Sequence, residues 1–155
     1  MIEEDEVAGW GVTLAVGCEC GAEARQDVGQ ALRGGELCWD AELYCRACGA
    51  GSCLGFGTGE APPWVRDPLI AQHGTVRLRL TDPATGRVAV LRTVREAWGL
   101  ELPQARELAE QLAGDGLAGT LPEAAWLRER LAARGVPAEV ATGTGTALSP
   151  WGGRR

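Results

Sequence analysis

The chain has 155 residues, 45% of them apolar and 23% charged, a globular balance that sets disorder aside. With 21 acidic and 15 basic side chains the net charge is −6, which argues against general affinity for nucleic acid or anionic lipid. No run of 18 apolar residues is present to span a membrane, and the opening MIEEDEVAGW carries four acids where an export signal carries positive charge, so a cytoplasmic protein is expected.

In chain order, GVTLAV reads as a strand ending just before Cys18, and ARQDVGQALRGG reads as a short helix closed by Gly34 and Gly35. LCWDAELYC, with its aromatic and branched residues, is a second strand. GFGTGEAPPWVRDP is too rich in Gly and Pro to continue a helix or a central strand, so residues 55–74 are expected to be a linker. From Thr75 the pattern becomes regular. Val76, Leu78 and Leu80 alternate with Arg77 and Arg79, as in a half-buried strand. Val88, Leu91, Val94 and Trp98 recur at helical spacing up to Gly99. Pro103 suits the first turn of a second helix, whose apolar side is Ala105, Leu108, Ala109 and Leu112. Leu117–Leu121 is a short strand, Pro122 opens a helix that buries Leu127 and Leu131, and Val136–Val140 closes as a last strand. Residues 142–155 lack periodicity and are expected to form a flexible tail. The fold class is therefore α+β: a Cys-rich β unit over residues 1–54, then a β-α-α-β-α-β unit over residues 75–141.

Charge and cysteine divide the chain in the same place. Residues 1–74 carry 12 acids and 4 Arg, whereas residues 75–155 carry 9 acids and 11 Arg; all six Cys lie in the first part. The clearest chemical signal is YCRACGAG. A C-x-x-C-G turn aims two thiolates at one centre, and Gly49 permits a left-handed backbone after Cys48. GCECGA supplies a second pair, Cys18 and Cys20, separated from Cys45 by 24 residues. Together Cys18, Cys20, Cys45 and Cys48 can close a tetrahedral Zn2+ site of zinc-ribbon type, although the first pair has one intervening residue instead of two. Disulfides would need an oxidising compartment, and a redox role for Cys45 and Cys48 lacks its usual strand–helix setting. Cys38 and Cys53 read as free thiols, with replacement of one of the four ligands left open. Four Cys ligands leave no open position for metal catalysis, and the one His, His73, has no local signature around it, so no enzyme is expected.

The stretch VRLRLTDPATGRVAVLRTVREAWGLELPQARELAEQL, continued by PEAAWLRERLAARGVPAEV, resembles the C-terminal globular domain of the bacterial ribosomal large-subunit stalk protein over about residues 75–141. The motifs that carry the likeness are VAVLRTVRE, the following W-G-L-x-L, the Q-A-R-E-L helix and the A-x-x-L-x-x-x-L-x-x-x-G helix before a strand. In that family the two helices after the first strand present a basic surface that recruits translational GTPases. The resemblance thus implies partner contacts at Arg87, Arg92, Arg95 and Arg106, each matching a basic residue of the family. The chain departs from the family at Glu101, where Gly is usual, and at Pro103, where Lys is usual. The Cys-rich unit stands where the family has its dimerising helices, which implies a reused domain in place of a stalk protein. The expected role is that of a non-catalytic adaptor docking on a translation factor or ribosomal component. The alternative is an immunity-type inhibitor whose acidic part, with Glu3–Glu6, Glu36, Asp40 and Glu42, caps a basic toxin domain.

Overall fold

The computed structural model describes residues 9–142 and divides at Gly74 and Thr75 into two units. The acidic tract Glu3–Glu6 and the tail with Trp151 lie outside the described residues. No helix among them is long and apolar enough to cross a membrane.

The first unit is an antiparallel meander of β1 (Gly9–Gly17), β2 (Glu23–Arg33), β3 (Glu36–Tyr44) and β4 (Gly51–Thr58), followed by α1 (Pro63–His73). The helix expected over ARQDVGQALRGG is instead β2, the central partner of both β1 and β3. Ala24, Val28, Gln30 and Leu32 are its buried positions, a period of two, and the Gly34-Gly35 pair makes the tight turn into β3 with both φ angles positive. Two flanking strands decide against the modest helix propensity of Ala, Gln and Arg.

The expected linker is also structured. Residues 51–58 form β4, and Pro62-Pro63 starts α1, where proline's fixed φ suits the first turn. The helix lays Val65 and Leu69 onto Val28 and Ala41 of the sheet, with Trp10, Val12 and Trp39 around them. The glycines that suggest a linker make room for Trp39. A Cβ at Gly55 or at Gly57 would come within 3.0 Å of its indole, which also meets Trp64 edge-on at 5.8 Å. His73, at the end of α1, stacks on Trp10 at 4.7 Å and its Nε2 lies 3.0 Å from the Gly11 carbonyl.

The second unit runs β5 (Val76–Leu80), α2 (Arg87–Trp98), α3 (Leu102–Ala113), β6 (Leu117–Gly119), α4 (Leu121–Ala132) and β7 (Ala138–Thr142), the expected order of elements. Its sheet is β6-β5-β7, with both neighbours antiparallel to β5. Val76, Leu78 and Leu80 are buried with Val90, Val94, Leu112, Leu127 and Leu131. The register of α2 differs from the expectation: Val88 is exposed, and Val90 and Thr93 turn inward with Val94 and Trp98. Thr93 is accommodated because its hydroxyl donates to the Ala89 carbonyl at 2.7 Å and accepts from Arg134 at 3.2 Å. Helix α4 is started by a capping box: the Thr120 hydroxyl accepts from the Glu123 N–H at 3.3 Å, and Glu123 accepts from the Thr120 N–H at 2.8 Å.

Candidate metal centre

The meander places its two knuckles at one end of the sheet. Cys18 and Cys20 lie in the β1–β2 turn, and Cys45 and Cys48 follow β3. Each turn is fixed by backbone bonds. The Cys18 N–H donates to Ala22 and the Gly21 N–H to Cys18; the Cys45 N–H donates to Ala50 and the Gly49 N–H to Cys45, all at 2.9 Å. Gly21 and Gly49 hold φ of 91° and 73°, the left-handed geometry that the C-x-x-C-G pattern requires after its second Cys.

These turns bring four Sγ atoms within 4.8 Å of one another, with Cys18–Cys48 and Cys20–Cys45 both at 3.7 Å. Four sulfurs placed about 2.3 Å from a tetrahedral centre are separated by about 3.8 Å, so the donor set fits a thiophilic ion such as Zn2+. All six cysteines are free thiols in this structure. Cys38 donates to the Ala31 carbonyl at 3.4 Å and Cys53 is exposed on β4; among the described residues the cluster contains neither.

The electrostatics of the metal-free thiols are uneven. The Cys48 N–H aimed at Cys45 lowers its pKa most, burial opposes this, and the Ala47 N–H adds to the lowering, leaving it at about 7. Cys20 receives the Ala22 N–H, which favours its thiolate, but the neighbouring Cys18 and Cys45 sulfurs and burial outweigh it and raise the pKa to about 11. One sulfur is thus ready to receive a cation, and another keeps its proton until a cation displaces it.

The expected contact residues are all exposed. Arg87 and Arg106 line a hollow of about 320 Å³ between the start of α2 and α3, whose apolar lining includes Leu80, Val90, Leu91 and Ala109. Arg92 and Arg95 border a second depression with Glu101, and the Arg95 Nε donates to the Leu100 carbonyl at 3.4 Å. Glu101 is the N-cap of α3 and Pro103 lies in its first turn, with the Glu101 N–H donating to Gln104 Oε1 at 3.3 Å. In the first unit, Glu36, Asp40 and Glu42 alternate along β3 on the face away from α1, since Trp39 and Ala41 point toward the helix. Trp10 and Trp39 pack against the α1 core; Trp64 is exposed. Trp98 and Trp126 meet edge-on at 5.7 Å, with Arg130 over the Trp126 ring. Phe56, not among the residues the sequence singled out, is 79% exposed; its one signal was the alternating G-F-G of an outer strand.

The chain matches no protein-family model, no curated protein and no solved structure. Fold and site together define a two-part α+β protein: an N-terminal β unit bearing a four-cysteine cluster that could hold a metal, and a C-terminal mixed β-α unit.

Proposed function

We propose that this is a non-catalytic, zinc-binding interaction protein of the cytoplasm, whose second unit docks on a partner protein, a translation factor or ribosomal component. Cys18, Cys20, Cys45 and Cys48 hold a structural Zn2+ that ties the two knuckles together. Docking falls to α2 and α3, where the likeness to the ribosomal stalk domain lies. The observation that carries this reading is the hollow flanked by Arg87 and Arg106, an apolar floor rimmed by these two cations and by one carboxylate, Glu110. That is the anatomy of a protein-binding patch, in which apolar contact supplies affinity and the charges supply steering. Among the described residues, Arg87, Arg92 and Arg106 make no ion pair that would occupy them. The test is affinity for translational GTPases, measured with wild type and with the combined Arg87→Ala, Arg92→Ala, Arg95→Ala and Arg106→Ala variant. Binding is expected to weaken by about tenfold or more, with the fold retained because all four side chains are exposed. Equal binding by the variant removes the reading.

A second reading, the immunity-type inhibitor, is favoured by the alignment of Glu36, Asp40 and Glu42 on the face of the first sheet away from α1. A carboxylate-bearing face of this kind suits a basic toxin domain, and association would then slow steeply as salt is added.

A further inference from the structure

Helix α1 covers one face of the β1–β4 sheet, and among the described residues of the first unit nothing covers the other. Across that bare face, Gly11, Gly29, Asp40 and Phe56 are successive partners in one row from β1 to β4. The next row is Gly9, Ala31, Cys38 and Thr58. The β1 and β2 portion of both rows therefore has almost no side chains, whereas Phe56 stands up from β4. The result is a hollow of about 700 Å³ with Gly9, Gly29 and Ala31 in its floor, Asp40 and Phe56 at its side, and Arg33, the cross-strand partner of Glu36, also in its lining. A Cβ on Gly29 would lie 2.9 Å from Asp40 Oδ1, so the missing side chain lets the carboxylate lean over β2 into this space.

The charges on the face differ in availability. Asp27 is engaged by the Thr13 hydroxyl at 2.6 Å and by Arg25 at 3.3 Å. Asp40 and Glu42 have no such partner among the described residues. A carboxylate with no ion pair among the described residues, beside an exposed aromatic ring and over a floor that fits an aliphatic stem, is complementary to an arginine or lysine side chain. The carboxylate would take the charge, and the Phe56 ring would take the face of the cation. The same face of a second copy would bring like carboxylates together, which disfavours self-pairing.

We infer that the Asp40–Phe56 hollow is the docking site for a basic segment of a partner protein, with one arginine or lysine side chain seated between the Asp40 carboxylate and the Phe56 ring. This rests on the acidic-face reading and narrows it to one hollow, so the two can fail separately. The test uses the full-length, zinc-replete chain and a fluorescein-labelled peptide of alternating Arg and Ser, with a Glu-Ser peptide as control, followed by anisotropy at physiological salt. The Arg-Ser peptide binds and the Glu-Ser peptide does not. Phe56→Ala weakens binding by about threefold to fivefold, and Asp40→Asn by about fivefold. The double variant loses less than the product of the two, because both groups hold one cation. Both side chains are exposed, so the substitutions leave the fold intact. Asp67→Asn, an equal loss of charge on the exposed side of α1, is expected to have little effect. Equal weakening by Asp67→Asn and Asp40→Asn, or no change with Phe56→Ala, overturns the site. Salt-sensitive capture of a basic toxin domain by an Asp40→Asn, Phe56→Ala variant would leave the acidic-face reading standing and this hollow refuted. Tighter peptide binding after Arg154→Ser and Arg155→Ser would make the chain's own tail the occupant and overturn the assignment to a partner.

Discussion

Stripping the metal is expected to unfold the first unit and leave the second intact. The first unit spans 74 residues. Its main apolar cluster is Val28, Ala41, Ala61, Val65 and Leu69, bordered by Trp10, Val12 and Trp39. Two of those five buried residues are Ala, and a core in a unit this small supplies about 3–5 kcal/mol. A structural Zn2+ contributes an apparent ~10–16 kcal/mol at neutral pH, which exceeds that figure several-fold. Without the ion, four thiols crowd within 4.8 Å at the end of the sheet, in knuckles held by turn hydrogen bonds and the adjoining strand ends. The knuckles should open, β1 and β4 should separate, and α1 should lose its seat. The second unit contributes none of the four ligands. The assay is hydrogen exchange on the intact chain before and after chelation, with metal content measured on the same samples. Amides of Glu23–Arg33 and Glu36–Tyr44 should lose protection, while those of Leu102–Ala113 and Leu121–Ala132 keep theirs. A chain shown to be metal-free with full protection in β2 and β3 would refute the reasoning. So would a Cys45→Ser variant that still carried one tightly held ion.

Leu69→Ala, on the helix that stands where a linker was expected, should destabilise the first unit by about 2–4 kcal/mol, read from its denaturant midpoint; a change near zero would restore the linker reading. Gly57→Ala should cost about 1–3 kcal/mol, because the added methyl meets the Trp39 indole at 3.0 Å, and near-ultraviolet circular dichroism should report the displaced ring. Thr120→Ala removes the cap of α4 and should lower second-unit stability by about 1 kcal/mol, seen as a lower Tm for that unit. Metal affinity should rise with pH, because each binding thiol must lose its proton. Cys45, lowered to about 7, holds its thiolate above that pH and reprotonates below it, so the slope of affinity against pH should steepen as pH falls through about 7. Competition titrations with a chromogenic chelator across this range would show it, and a flat profile would contradict it.

The sequence by itself determined the features that repeat at short range. The C-x-x-C-G turn needs only its own residues to aim two sulfurs and to place Gly49 at a φ of 73°. The alternation of Val76, Leu78 and Leu80, and the breakers at Gly99, Gly114 and Gly135, likewise sit within one element each. They set the order of the second unit without help from long-range contacts. The division at Gly74 was legible because charge and cysteine content change together there.

Only the tertiary structure decided the rest. ARQDVGQALRGG has residues that tolerate a helix, and it became a strand because β1 and β3 satisfy its backbone on both sides. The glycines of GFGTG looked like flexibility, and they are there because the Trp39 ring lies against two of them. That requirement is set by a residue 16 and 18 positions earlier in the chain, and no local pattern displays it. The pairing of Cys18 with Cys48 and of Cys20 with Cys45 depends in the same way on the register of three strands. Asp40 and Phe56 are also neighbours only through the β3–β4 ladder. Spacing can name the ligands of a site and the ends of a helix. Which side chains share a face of the sheet is set by strand pairing, where a slip of one residue would turn every side chain to the other side.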